Sequence, residues 1–174
     1  MKKLSIAALG TACVLAFAPF AAAQDKPTDP QIAHIAYSAG VIDVEAAKLA
    51  ISKTKNKDVA DFAQSMQKDH EAVNVHALEL VKKLNVTPED NATSQALSKA
   101  GEEKRAELAK LDGADFDKAY IENEVAYHSQ VNGALETLLI PSAQNAELKG
   151  LLETGLKLFQ GHQQHAEHVA ASLK

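Results

Sequence analysis

The chain has 174 residues, a formal charge of −5, seven histidines, one cysteine and no tryptophan. An acidic balance leaves no electrostatic footprint for nucleic acid or for anionic lipid. Few aromatics and abundant Ala, Leu, Lys and Glu favour helices over a sandwich or barrel.

Residues 1–23 read as an export signal: Met1-Lys2-Lys3 is followed by an uncharged, mostly apolar run to Phe20, then Ala21-Ala22-Ala23 as an A-x-A ending. The run is too short and too rich in Ala and Gly for a membrane span, and no second candidate follows. Cleavage after Ala23 leaves a periplasmic or secreted domain, residues 24–174, of 151 residues. Its charge becomes −7, because Lys2 and Lys3 leave with the signal and no acid does. Cys13 lies within the signal, and Gly10-Thr11-Ala12 before it lacks the apolar lead of a lipoprotein cut. The mature chain therefore has no disulfide, no thiolate metal site and no Cys nucleophile.

Helix A starts at Asp29 as N-cap with Pro30 in first position and runs to about Lys55. Asn56 caps helix B, whose Val59, Phe62, Ala63, Met66, His70, Val73, Ala77, Leu80 and Leu84 recur at spacings of three and four. Thr87-Pro88 breaks it. Residues 89–114 form a long polar connection with one amphipathic helix, ended by Asp112-Gly113; some twenty helical residues span roughly 30 Å, enough to cross a bundle. Asp115 caps helix C, with Ile121, Glu124, His128, Val131, Leu135 and Leu138 inward. Pro141-Ser142 makes the next turn, and helix D begins near Ala146. The pattern is an all-α, antiparallel four-helix bundle with a long B–C crossover containing a short extra helix.

Helices B and C repeat one another at an offset of 58: Phe62, Met66, His70, Val73 and Asn74 fall opposite Tyr120, Glu124, His128, Val131 and Asn132. Two related halves with approximate two-fold symmetry follow, each placing one histidine in the same role. The segments Phe62-Ala63…Met66…Asp69-His70…Asn74, Phe116-Asp117…Ala119-Tyr120, His128 and Leu156…Phe159…His162…Ala166 resemble an exported bacterial family known as domain of unknown function 4142. The resemblance covers nearly the whole mature chain and implies a ferritin-like fold. This chain departs from the family's M-V-x-D-H core. Gln67 replaces Val in helix B, Glu124 and Tyr127 replace Met and Asp in helix C, and Lys157 stands where the family has Pro.

Depths counted from the turns put Glu45 and His70 about 16 and 21 Å from the A–B turn, with Glu124, His128 and His162 at similar mid-bundle levels. Each lies on an apolar stripe, Glu45 between Ile42 and Leu49. Buried carboxylates and imidazoles without partners cost several kcal/mol, so their convergence needs a common cause. One cause is a transition metal, Zn, Cu, Fe or Mn, held by Glu45, His70, Glu124, His128 and His162 with His165 as a neighbour, and with Asp69, Tyr127, Asn74 and Asn132 orienting the rings. The other is a metal-free His/Glu network in a stress or interaction bundle. A carboxylate-bridged di-iron enzyme fits less well: it needs Glu-x-x-His on two helices, whereas Gln67 and Val125 precede His70 and His128 by three. His168 beside Glu167, His34 and His76 read as exposed. Phosphate-loop, nucleophile-elbow and H-E-x-x-H motifs are absent. The function expected is metal buffering or protection from envelope stress rather than turnover.

Overall fold

The computed structural model describes residues 26–173; the expected export signal lies outside them. The described residues are helical, with no strand among them: α1 (Asp29–Lys53), α2 (Lys57–Lys83), α3 (Ala92–Leu108), α4 (Gly113–Ala134), a π-helical segment (Leu135–Leu139), a single turn α5 (Ile140–Ser142) and α6 (Ala146–Ser172). None of these helices is long and apolar enough to cross a membrane.

Helix ends follow from local chemistry, with two corrections to the sequence reading. Asn56 and Asn145 cap α2 and α6, their side-chain oxygens accepting from the second and third backbone N–H groups. Asp29, expected to cap α1, is instead its first residue, and Thr28 takes the cap position. The Asp29 carboxylate accepts from the backbone N–H groups of Gln144 and Asn145, both at 2.8 Å, and so ties the start of α1 to the α5–α6 turn. Asp112, not Asp115, occupies the N-cap position of α4, because Gly113 at φ +58 absorbs the reversal between α3 and α4. Helix α2 closes at Asn85, φ +52, where Val86 N–H donates to Val81 and Asn85 N–H to Lys82, the paired bonds of a Schellman ending.

The short 54–56 turn makes α1 and α2 an antiparallel pair. The crossover then returns along the outside of α1. Glu89 N–H donates to the Pro30 carbonyl at the upper end, and Lys53 reaches the Ala109 carbonyl and Asp112 at the lower end. Gly101 permits this docking, since a β-carbon there would stand 2.7 Å from Cγ2 of Ile42. Helix α4 climbs back and α6 descends, and contacts α1–α2, α2–α6, α6–α4 and α4–α1 close a ring of four long helices. Pro141 has no N–H to give its preceding turn, and the backbone widens into the π segment just before it.

The core has two parts. The lower gathers Ala47, Ala50, Phe62, Met66, Phe116 and Tyr120, all without solvent exposure. The upper gathers Ile32, Ile35, Leu135, Leu139, Leu148, Leu152 and Phe159. Between them lies a layer of buried polar side chains.

Candidate metal centre

Four helices converge on that layer. From α2, α4 and α6 come His70, His128 and His162, buried, with ring centroids 5.3–5.6 Å apart in a nearly equilateral triangle. From α1 comes Asp43, 1% exposed. Its Oδ2 stands 3.5 Å from Nε2 of His70 and 3.5 Å from Nε2 of His128. Those separations are too long for hydrogen bonds. They match two ligands of one cation: donors 2.0–2.2 Å from a tetrahedral metal lie about 3.3–3.6 Å from each other. One ligand-type atom from each of the three histidines falls within 4.8 Å of the others, and the same holds for Asp43, Glu124 and His128.

The tautomers are set from outside the cluster. His128 Nδ1 lies 3.0 Å from the Glu124 carbonyl oxygen, which can only accept, so Nδ1 carries the proton and the Nε2 lone pair faces Asp43. His162 Nε2 donates to Asp69 Oδ2 at 3.1 Å, leaving its buried Nδ1 free. A carboxylate or carbonyl on the far nitrogen is the usual support of a metal-binding imidazole. The His70 ring stacks on Phe159, centroids 4.7 Å apart and planes 4° from parallel, so packing fixes its orientation. Both oxygens of Asp43, both nitrogens of His70, His128 Nε2, His162 Nδ1 and Glu124 Oε2 are buried without a hydrogen-bond partner. So many orphaned groups at one point are unusual in a folded interior.

Burial sets the charge state. Desolvation pushes Asp43 up to about 7, and holds Glu124 well above the carboxylate range with Asp43 adding to the effect. Desolvation also draws His128 down to about 4 and His70 well below the usual imidazole range, the other histidines contributing. His162 shifts the same way, with Asp69 opposing. Neutral imidazoles are the form that donates to a metal, and a nearby cation would favour the carboxylates in their charged form.

The structure brings together His70, Glu124, His128 and His162 of the sequence-predicted set. It does not bring Glu45 or His165. Glu45 is half-exposed and pairs with Lys48 at 3.2 Å; α1 presents Asp43 to the centre instead. The reason is the helix's surroundings. Ile42, one of the bulky residues flanking Glu45, packs towards Gly101 of α3, so the bulky stripe does not mark the inner face. That face carries small residues, Ala47 and Ala50 among them, with Asp43 in line at i−4 from Ala47. Nothing in the spacing of these small residues marked that face in the sequence. His165 is exposed, its ring edge-on to Phe62 at 5.1 Å; the three-residue step from His162 rotates it off the inner face. His76 and His168 are exposed as expected, whereas His34 is half-buried with Nδ1 3.8 Å from Asp90. Among the supporting residues, Asp69 holds His162. Tyr127 donates to the Ala39 carbonyl, Asn132 to Gln163, and Asn74 fills the space beside Gly40.

The sequence matches the family described as domain of unknown function (DUF4142) over residues 15–169. The chain belongs to that family. No curated protein matches it. Its fold is similar to the crystal structure of a Streptomyces coelicolor protein described as a secreted DUF305 protein, at TM-score 0.70 and 11% identity, over 82% of this chain and 91% of that one. At such low identity this DUF4142 chain and the Streptomyces protein share a fold, and nothing about the centre carries across.

Proposed function

We propose that this DUF4142 chain is an exported, ferritin-like bundle that binds one transition-metal ion at mid-height through Asp43, His70, His128 and His162. The ring of four antiparallel helices with one long crossover is the arrangement in which such bundles build metal sites from facing side chains. The observation that carries the reading is Asp43 Oδ2, 3.5 Å from two imidazole nitrogens with no hydrogen bond to either. Three neutral imidazoles and one carboxylate suit Zn, Cu, Fe or Mn. Glu124, beside Asp43 and His128, is a further ligand or a proton acceptor next to it. The service we assign is metal buffering or protection of the envelope from metal stress.

The test is the metal content of mature protein isolated without a tag from the periplasm, and its metal uptake after stripping. About one equivalent is expected in the wild type. His70→Ala/His128→Ala and Asp43→Ala should lose it, while Glu45→Ala and His165→Ala should keep it. Wild-type protein that takes up none of the four metals would overturn the proposal. The raised Asp43 and Glu124 favour a second reading in that event, a metal-free buried network whose carboxyls hold their protons. Metal-dependent oxidation of Fe(II) or consumption of peroxide would instead reveal a redox enzyme.

A further inference from the structure

Above the polar layer the space between the four long helices is not filled. They enclose a cavity of about 400 Å³ that runs from His70, His128 and Phe159 up to Val81, Leu139 and Leu148. Its walls come from α1, α2, α3, α4, the π segment and α6, and small residues such as Ala36, Ala39, Ala77, Ala134 and Gly155 create the space. Val73, Val131 and Leu138 are only half-buried although they point at the interior. A protein interior is normally packed as densely as an organic crystal, and a void of this size is in the range of small-molecule sites.

The lining chemistry restricts the occupant. Among the described residues, no Lys, Arg, Asp or Glu lines the cavity. The two exposed lining residues are Gln130 on α4 and Thr137 on the π segment, so the mouth opens on that side and its polar groups are uncharged. The inner end is closed by the stacked faces of His70 and Phe159, an aromatic wall. The π segment adds Leu135, Leu138 and Leu139 to the lining, and such local widening is common where helices form binding sites.

We propose that this cavity binds a neutral, single-chain apolar molecule, such as a long-chain or prenyl alcohol. Its chain lies between the helices, and its uncharged polar end sits at Gln130 and Thr137. The space accepts roughly a dozen carbons at interior density. A carboxylate or phosphate head would find no cation among the described residues that line the mouth and would meet a protein of net negative charge. The inference does not depend on the metal reading, because none of these walls needs an ion to form.

The experiment is a fluorescence titration of mature protein, metal-loaded and metal-stripped, with the neutral probe N-phenyl-1-naphthylamine, followed by displacement with 1-dodecanol, farnesol and dodecanoate. Saturable binding of one probe per chain is expected in both forms, with the alcohols displacing it at concentrations at least tenfold below dodecanoate. Ala77→Leu/Ala134→Leu, which fills the cavity, should abolish binding while keeping helical content and metal uptake. An absence of saturable binding would overturn the proposal and leave the cavity a packing defect. Equal or better displacement by dodecanoate would overturn the assignment to a neutral ligand. Unchanged probe binding in the filled variant would place the probe elsewhere and overturn the site.

Discussion

The lower and upper halves of this bundle are built from the same four helices and differ in what the helices carry inward. Below the polar layer, Phe62, Phe116 and Tyr120 interlock with Ala47, Ala50 and Met66, and every one is sealed from solvent. The Phe116 and Tyr120 rings stack at 6.1 Å, and Phe62 meets Tyr120 edge-on. Above the layer, small residues such as Ala36, Ala39, Ala77, Ala134 and Gly155 share the interior and a cavity of about 400 Å³ remains. Large residues opposite small ones fill a layer; small opposite small leave one open. Packing is thus uneven along the axis, with the polar centre anchored from below and bordered by open space above.

Truncations should expose that difference most strongly. Phe62→Ala is expected to cost about 3–5 kcal/mol, because the closed lower core cannot collapse around the loss. Leu138→Ala, already facing open space, should cost under about 2 kcal/mol. Urea unfolding of both variants measures this, and equal costs would mean that the halves are equally packed. Enlargements should keep the order. Ala47→Leu forces a side chain into a sealed site and is expected to destabilise by about 1–3 kcal/mol. Ala134→Leu fills cavity space and should be neutral or gain up to about 1 kcal/mol.

The upper half is tied across its end, as the lower end is by Lys53. With its interior open, its ends are held by the Asp29 carboxylate on the α5–α6 turn. Asp29→Ala should lower stability by about 1.5–3 kcal/mol, the scale of lost hydrogen bonds to a charged group. Hydrogen exchange should quicken first at Gln144 and Asn145. Uniform loss of protection across the chain would show that the tie acts on the whole fold.

Much of this was legible in the sequence, for reasons that differ by element. Helices α2 and α6 announce themselves because one face alone meets the core, so apolar spacing, the Asn56 cap and the start of α6 at Ala146 were readable, and His70 and His162 fall on the buried faces. The offset of 58 between α2 and α4 sets His70 opposite His128, and the two lie on diagonally opposed helices with ring centroids 5.6 Å apart. Helix α1 resisted the same reading because it is covered on two sides, by the ring and by α3. Periodicity then no longer distinguishes inside from outside, and the large residues that draw attention, Ile42 and Leu49, misdirect the choice to Glu45. Asp43 needed knowledge of where α3 docks, and that is a tertiary fact. The cavity was illegible for a related reason. Alanines such as Ala36, Ala39, Ala77 and Ala134 are good helix formers anywhere, and only their mutual facing makes a void.

The smallest expected effect lies at the boundary between the halves and is a change of slope with pH. In metal-stripped protein, His70 and His128 stay neutral on folding, with His128 down to about 4, while the unfolded chain protonates them below about 6.5. The unfolded state then binds more protons, so these groups make stability rise with pH between about 4 and 6.5. Asp43 acts in the opposite sense. It keeps its proton in the folded state up to about 7, whereas the unfolded chain loses it near 3.8, so its contribution falls as pH rises across that window. Glu124 falls likewise. The wild type should therefore show a shallow dependence through the mildly acidic range. Asp43→Asn removes one falling contribution and leaves the histidines unopposed by it, and its stability should climb more steeply with pH than that of the wild type. Urea midpoints at half-unit pH intervals from 4.5 to 6.5 measure both slopes. Parallel curves would mean that Asp43 is already ionised in the fold without metal, making it the charged partner of the two imidazoles.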